Sequence, residues 1–190
     1  MRNYNNANIS WVPNGADLTK ELHFVKPQKK SKFRRQIQIV FAGTLYMGGE
    51  ESLIKFIRDL NTRLRKNNKE KAHWTIIGSW CPEIISRVKK ITDCSFLGVI
   101  ESNAIKQEIL NADFACSYVS PKLNYAINTK IIEAAALRVP VILLSQKGVV
   151  PEFLIRNNLG VHVNINKINS NPIIEWYNET RETGPWQDFK

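Results

Sequence analysis

Little in this chain of 190 residues points to a membrane span, a disulfide scaffold or a metal centre. No window holds the roughly 18 consecutive apolar residues that a spanning helix needs. The opening Met1-Arg2-Asn3-Tyr4-Asn5-Asn6 lacks the apolar stretch of a secretory signal. Cysteines are few, odd in number and far apart (Cys81, Cys94 and Cys116). They form no metal spacing, and the expectation is reduced core thiols in a cytoplasmic protein. Histidine is equally scarce. His23, His73 and His162 have no carboxylate or cysteine neighbour at a useful spacing, and His73 and His162 read as structural strand residues. There is no internal repeat and no low-complexity tract beyond the Asn-rich start.

Acidic residues are outnumbered. Seventeen Asp and Glu face 27 Lys and Arg, a formal net charge of +10. Part of the excess is clustered. Lys26, Lys29, Lys30, Lys32, Arg34 and Arg35 share one polar connection, and Arg58, Arg63, Arg65, Lys66, Lys69 and Lys71 lie on the polar face and end of a helical stretch. Such a surface attracts nucleotides, polyanions or the anionic face of a membrane, so a peripheral membrane contact stays open. A solvated lysine-rich surface explains the charge equally well. No zinc finger, RNA-binding sheet signature or Gly-x-x-Gly clamp accompanies it, so nucleic acid is not an expected partner.

The hydrophobic content of 43% suits a folded domain, and its pattern is that of alternating strands and helices. Short apolar runs at 37–42, 73–77, 94–99, 114–119, 141–144 and 160–163 read as strands, several of them stopped by glycine. Between them lie helical stripes: Leu53, Phe56, Ile57, Leu60 and Leu64; then Ile84, Ile85, Val88 and Ile91; then Ile105, Ile109 and Leu110. The predicted fold is α/β, a Rossmann-like parallel sheet with helices on both faces. Ligands of such sheets bind beyond the carboxyl ends of the strands, which directs attention to the loops there. The chain divides into residues 1–15 as a linker or first strand, 16–168 as the ligand-binding domain, and 169–190 as a helix and polar tail. Trp176, Tyr177, Trp186 and Phe189 on that last segment suggest that it docks against another surface.

The segment richest in chemistry is Asn128-Thr129-Lys130-Ile131-Ile132-Glu133-Ala134 and the following Arg138-Val139-Pro140-Val141-Ile142. Asn128 is a natural helix cap, and Lys130 and Glu133 share one helical face. After a strand, a helix N-terminus is a ready anion site. Lys130 and Glu133 are either a phosphate and ribose ligand pair or an exposed ion pair worth ~0.2–0.5 kcal/mol. Gly43, Gly48 and Gly49 either admit a diphosphate to the backbone or simply form a turn. Glu152 is either an acceptor for sugar hydroxyls or a charge favoured by the helix dipole.

The order of these loops resembles the C-terminal, donor-binding half of the retaining group 1 glycosyltransferases of GT-B fold. Val12-Pro13-Asn14-Gly15-Ala16-Asp17 is similar to the start of that half, and Ala42-Gly43-Thr44-Leu45 to its Val-Gly-Arg-Leu. Ile76-Ile77-Gly78 and Phe96-Leu97-Gly98-Val99 resemble its next strand ends. Lys130 to Ile142 resembles Lys-x-x-Glu-Tyr/Ala-x-Ala-x-Gly-x-Pro-Val-Ile, and Gly148-Val149-Val150-Pro151-Glu152 its Gly-Gly-x-x-Glu loop. Three positions depart from the family pattern. Thr44 replaces an arginine, Gly48 a lysine, and Tyr125 the first glutamate of a Glu-x7-Glu motif whose second would be Glu133.

The resemblance implies transfer of a sugar from a nucleotide diphosphate sugar to a hydroxyl, in polysaccharide or glycoconjugate synthesis. The donor is a substrate, and no cofactor is expected; an Asp-x-Asp metal motif is absent from the sequence. Gly43, Thr44, Gly48, Gly49, Asn128, Thr129, Lys130 and Glu133 become the expected substrate contacts, with no residue assigned to catalysis. The partner implied is an N-terminal acceptor-binding domain or subunit, so this chain alone is expected to be inactive. Two other readings stay open: an epimerase acting on sugar nucleotides, which shares the fold, and a non-catalytic basic module.

Overall fold

The structure is a computed structural model that describes residues 36–45, 48–123 and 125–183. Strands and helices alternate: β1 (Gln38–Ala42), α1 (Gly49–Lys66), β2 (His73–Ile77), α2 (Pro82–Lys89), β3 (Asp93–Gly98), α3 (Ser102–Asn111), β4 (Phe114–Tyr118), α4 (Thr129–Ala136), β5 (Val141–Ser145), α5 (Val149–Arg156), β6 (Gly160–Asn164) and α6 (Asn171–Thr183). The six strands form one sheet in the order β3-β2-β1-β4-β5-β6, and every pairing is parallel. This is the expected Rossmann-like α/β fold.

Alternation along each strand divides the core in two. Ile39, Phe41, Trp74, Ile76, Phe114, Cys116, Ile142 and Leu144 face one side, where Leu53, Phe56, Ile57, Leu60 and Leu64 of α1 and Ile173 of α6 meet them. Val40, Ile77, Ala115, Val141 and Leu143 face the other, against Ile109 of α3, Ile131 and Ala134 of α4, and Val150 and Leu154 of α5. Burial on both faces is why these strands read as unbroken apolar runs. Gly160 begins β6 so close to β5 that a Cβ there would lie 2.0 Å from the Val141 carbonyl oxygen.

Four expectations are revised. β3 begins at Asp93 rather than Cys94, because it pairs with β2 from His73↔Asp93 onward. That register gives His73 a carboxylate partner twenty residues away, with Nδ1 2.9 Å from the Asp93 carboxylate. Ile84 and Ile85 of α2 are only half-buried, since they cover an edge strand, and Val88 alone of that stripe is fully enclosed. The aromatics of α6 find their place in this domain's own core: Tyr177 is buried and Trp176 packs against the α1 side. Trp186 and Phe189 lie outside the described residues, as do the Val12-Pro13-Asn14-Gly15 segment and the basic cluster from Lys26 to Arg35.

Asp59 of α1 holds α6 in place. Its carboxylate accepts from the Ser170 amide at 2.9 Å, the Ser170 hydroxyl at 2.7 Å and Arg63 Nε at 2.8 Å. Arg63 also donates to Asn171 Oδ1 at 2.7 Å, while Lys69 reaches Asn178 Oδ1 and sits over the Tyr177 ring. Part of the basic surface of α1 is therefore committed within the fold. Burial raises the Asp59 carboxyl, but the hydrogen bonds from Arg63 and Ser170 outweigh it and hold the acid below its ordinary value. A depressed folded-state value means that this stabilisation is present above 3.8 and fades as pH falls through the folded-state value. Asp59→Ala is expected to lower stability at neutral pH by roughly 1 kcal/mol after screening. Denaturant titrations of both proteins should converge as the pH is taken below 3.8.

Candidate functional site

β1 and β4 are neighbours in the sheet although they are not consecutive in the chain. Their following helices pack on opposite faces, α1 on one and α4 on the other. A crevice thus opens beyond their carboxyl ends, where the strand order reverses. Its two walls are built from residues 43–45 with Gly48 and Gly49, and from residues 119–123 and 125–128.

On the first wall, Gly43 works mainly as structure. Its amide donates to the Ile77 carbonyl at 2.9 Å, and its carbonyl accepts from Trp80 Nε1 at 2.8 Å. Gly78 crosses so near that a Cβ would stand 2.5 Å from the Gly43 oxygen, which requires glycine there. Thr44 is exposed. Gly48 has φ 82°, a left-handed conformation that favours glycine, and lets the chain enter α1 with no side chain over the helix N-terminus. Gly49 lies against the Tyr118 ring; a Cβ there would be 2.8 Å from two ring carbons. The first turn of α1 carries Glu50 and Glu51, and Glu51 pairs with Arg87 at 2.6 Å.

The second wall is better defined. Asn128 Oδ1 accepts from the Ile131 amide at 3.0 Å, so Asn128 is the cap the sequence predicts. Its amide nitrogen also donates to Ser117 Oγ at 3.0 Å, tying α4 to the end of β4. Ser117 was not among the expected substrate contacts. Thr129 is exposed at the first helical position. Lys130 Nζ lies 2.7 Å from Glu133 Oε2, with the side chains 39% and 28% exposed. The lysine and the carboxylate satisfy each other. Tyr125, at the position of the family's first glutamate, is 62% exposed.

Tyr118 joins the two walls. It ends β4, packs beneath Gly49, and has its hydroxyl titration raised by burial, against a hydrogen bond to Ser120 that lowers it. Nearby, His162 Nε2 is 3.2 Å from the Ser145 carbonyl oxygen. Burial lowers the His162 value more than that hydrogen bond raises it, which favours the neutral ring. Glu152 is exposed in the first turn of α5. The expected residues thus fall in two groups on facing walls of one crevice: Gly43, Thr44, Gly48 and Gly49, and Asn128, Thr129, Lys130 and Glu133. Among the described residues, no group of three or more His, Cys, Asp or Glu converges as a metal site.

The sequence model of the family described as "Glycosyl transferases group 1" matches residues 36–170, which is most of the chain and all of this crevice. The protein belongs to that family. No curated protein matches it by sequence. Solved structures resemble it in fold at low identity. An E. coli trehalose-6-phosphate protein bound with UDP-2-fluoro glucose is 12% identical, with a TM-score of 0.60 over 90% of this chain and 43% of that one. Anabaena Alr3699/HepE in complex with UDP and glucose is 14% identical, with a TM-score of 0.55 over 78% and 39%. A Neisseria meningitidis UDP-GlcNAc 2-epimerase bound to UDP-GlcNAc is 15% identical, with a TM-score of 0.50 over 87% and 43%. The chain spans less than half the length of each of these. The fold of this group 1 glycosyl transferase domain is Rossmann-like, of the GT-B kind. No described helix is long and apolar enough to cross a membrane.

The contact between Gly49 and Tyr118 is the testable joint of the crevice. Gly49→Ala is expected to cost roughly 1–3 kcal/mol by overpacking. Tyr118→Ala should relieve most of that cost, so a double-mutant cycle in urea should give a coupling well above 0.5 kcal/mol. Additive effects would show that the two walls are mechanically independent.

Proposed function

We propose that this group 1 glycosyl transferase domain is the donor-binding half of a sugar transferase, holding a nucleotide diphosphate sugar in the crevice between β1 and β4. The observation that carries the reading is the Asn128-capped α4, with Lys130 in its first turn and Glu133 three residues further on, at the strand-order reversal of this family's sheet. On this reading Lys130 leaves Glu133 for the phosphates, and Glu133 turns to accept from a ribose hydroxyl. The amides at the starts of α1 and α4, with Gly48 and Gly49 admitting close approach, supply neutral donors to the diphosphate. Those donors and Lys130 stabilise the departing diphosphate as the glycosyl group passes to a hydroxyl, with retention. The structures bound to UDP-2-fluoro glucose, to UDP and glucose, or to UDP-GlcNAc support a nucleotide sugar as the ligand class.

The acceptor half is assigned to a separate domain or subunit. Val99, Leu123, Tyr125 and Val149 are all exposed, and all follow the carboxyl ends of strands, Val149 as the first residue of α5. Apolar side chains gathered around a polar crevice suit a partner that closes over it.

Calorimetry with UDP, GDP and ADP tests the site. Glu133→Ala is expected to weaken the best nucleotide by about 1.5–3 kcal/mol, the loss of one charged hydrogen bond. Equal affinity in the two proteins would remove Glu133 from the site. A second expectation concerns turnover. The purified 190-residue chain, given donor and simple hydroxyl acceptors, should release no transferred sugar above the uncatalysed background. Sustained transfer by this chain alone would overturn the assignment of the acceptor half to a partner.

The departures at Thr44, Gly48 and Tyr125 favour a second reading, a non-catalytic basic module that contacts an anionic membrane or partner. Retention on anionic vesicles, together with no nucleotide binding, would carry that reading instead.

A further inference from the structure

Trp80 follows β2 at the carboxyl edge of the sheet, and its indole Nε1 donates to the Gly43 carbonyl at 2.8 Å. Its ring stands edge-on to Phe41 and Phe96, with centroids 5.2 and 6.3 Å away. A phenylalanine would serve that packing; only the bond to Gly43 needs an indole. Pairing of β1 with β2 ends at Ala42↔Ile77, so the Gly43 carbonyl lies just past the ladder, where Trp80 supplies its donor. The Gly43 amide is held on the same side, by the Ile77 carbonyl at 2.9 Å.

That bond sets the direction of the next peptide. The C=O and N–H of a trans peptide point opposite ways. With the Gly43 oxygen turned toward β2, the Thr44 N–H points toward β4, across the crevice. Alternation along β1 gives the same answer. The Ile37 carbonyl and the Gly43 amide bond on the β2 side, whereas the Gln38 carbonyl, in register with Thr44, accepts from Asp113 just before β4.

No strand waits for that amide, because the pairing of β1 with β4 ends at Phe41↔Cys116. Thr44 is exposed and enters no hydrogen bond among the described residues. An N–H held in one direction, with no protein acceptor, at the mouth of a crevice is a preorganised donor for an anionic oxygen. Thr44 and Gly48 carry no charge, so backbone donors are what this wall can offer a phosphate.

We infer that Trp80 is a positioning residue of the crevice: its indole N–H fixes the Gly43–Thr44 peptide so that the Thr44 amide donates to a phosphate oxygen of a nucleoside diphosphate. The inference rests on the proposed donor site and adds to it a residue outside both walls. NMR titration of the full chain tests it. Of UDP, GDP and ADP, the tightest ligand is titrated beside its parent nucleoside into the native protein, Trp80→Phe and Phe96→Leu. In the native protein the Thr44 amide is expected to shift saturably with the diphosphate and not with the nucleoside. Trp80→Phe keeps a ring and loses the donor; it should bind the diphosphate roughly five-fold or more weakly, with the nucleoside unchanged. Phe96→Leu loosens the packing and leaves the indole N–H, so the ratio of the two affinities should hold.

The inference is overturned if the Thr44 amide does not respond, or if Trp80→Phe binds the diphosphate as tightly as the native protein. It also falls if Trp80→Phe weakens both ligands equally, or if Phe96→Leu changes the ratio as much. In each of these cases, saturable shifts from Asn128 to Glu133 leave the donor site standing. If none of the three nucleotides shifts those residues in the native protein, the donor site fails and this inference fails with it.

Discussion

The pairing of β1 with β4 governs the rest of the molecule. Ile39↔Phe114, Val40↔Ala115 and Phe41↔Cys116 join two strands separated in the chain by two complete strand–helix units. Both strands are covered on both faces, so the pair cannot slip by one residue without exchanging its two apolar sides. Once that register is set, Gly49 must come to rest against Tyr118, and Ser117 must end where Asn128 can reach it. The crevice is a product of strand order. Its loops shape it but do not create it.

The helical layers divide the remaining work unevenly. α1 is 18 residues long and buries a full stripe, so it can anchor a further element. Asp59 and Arg63 use its outer flank to hold the start of α6, and Lys69 secures the next turns. The layer of α3, α4 and α5 is made of shorter helices, of 10, 8 and 8 residues. Short helices derive most of their stability from packing, which makes the Asn128 cap and its bond to Ser117 more consequential for α4 than a cap would be for α1.

The fold was legible in the sequence because burial on both faces leaves an unmistakable signal. Runs such as Val141-Ile142-Leu143-Leu144 cannot be exposed anywhere, and glycine marks where several of them stop. The cap at Asn128 and the Lys130–Glu133 face were legible because helical spacing is local. What was not legible depended on pairing between distant elements. His73 seemed to lack a carboxylate until the β2–β3 register set Asp93 beside it. Trp176 and Tyr177 appeared to belong to an independent tail because the acceptor for α6, Asp59, lies more than a hundred residues earlier.

Electrostatics bears on why a donor site of this kind would require a second body. At 4 Å a unit charge pair is worth about 1 kcal/mol in water and about 4 kcal/mol at an effective dielectric near 20. Lys130 is 39% exposed and already paired with Glu133, so in the open crevice its attraction for a phosphate lies toward the smaller figure and is opposed by the loss of that pair. Helix N-termini add only ~0.3–1 kcal/mol each when exposed. Thr44 and Gly48 bring no further cation. The strength still available lies in excluding water, which raises the value of every donor already present without adding one. A closing partner would bury Val99, Tyr125 and Val149, exposed by 80%, 62% and 51%, as it sealed the crevice. On the proposed reading, the weak open site and the apolar rim are two parts of one arrangement: the rim draws the partner in, and the partner makes Lys130 and two helix ends sufficient.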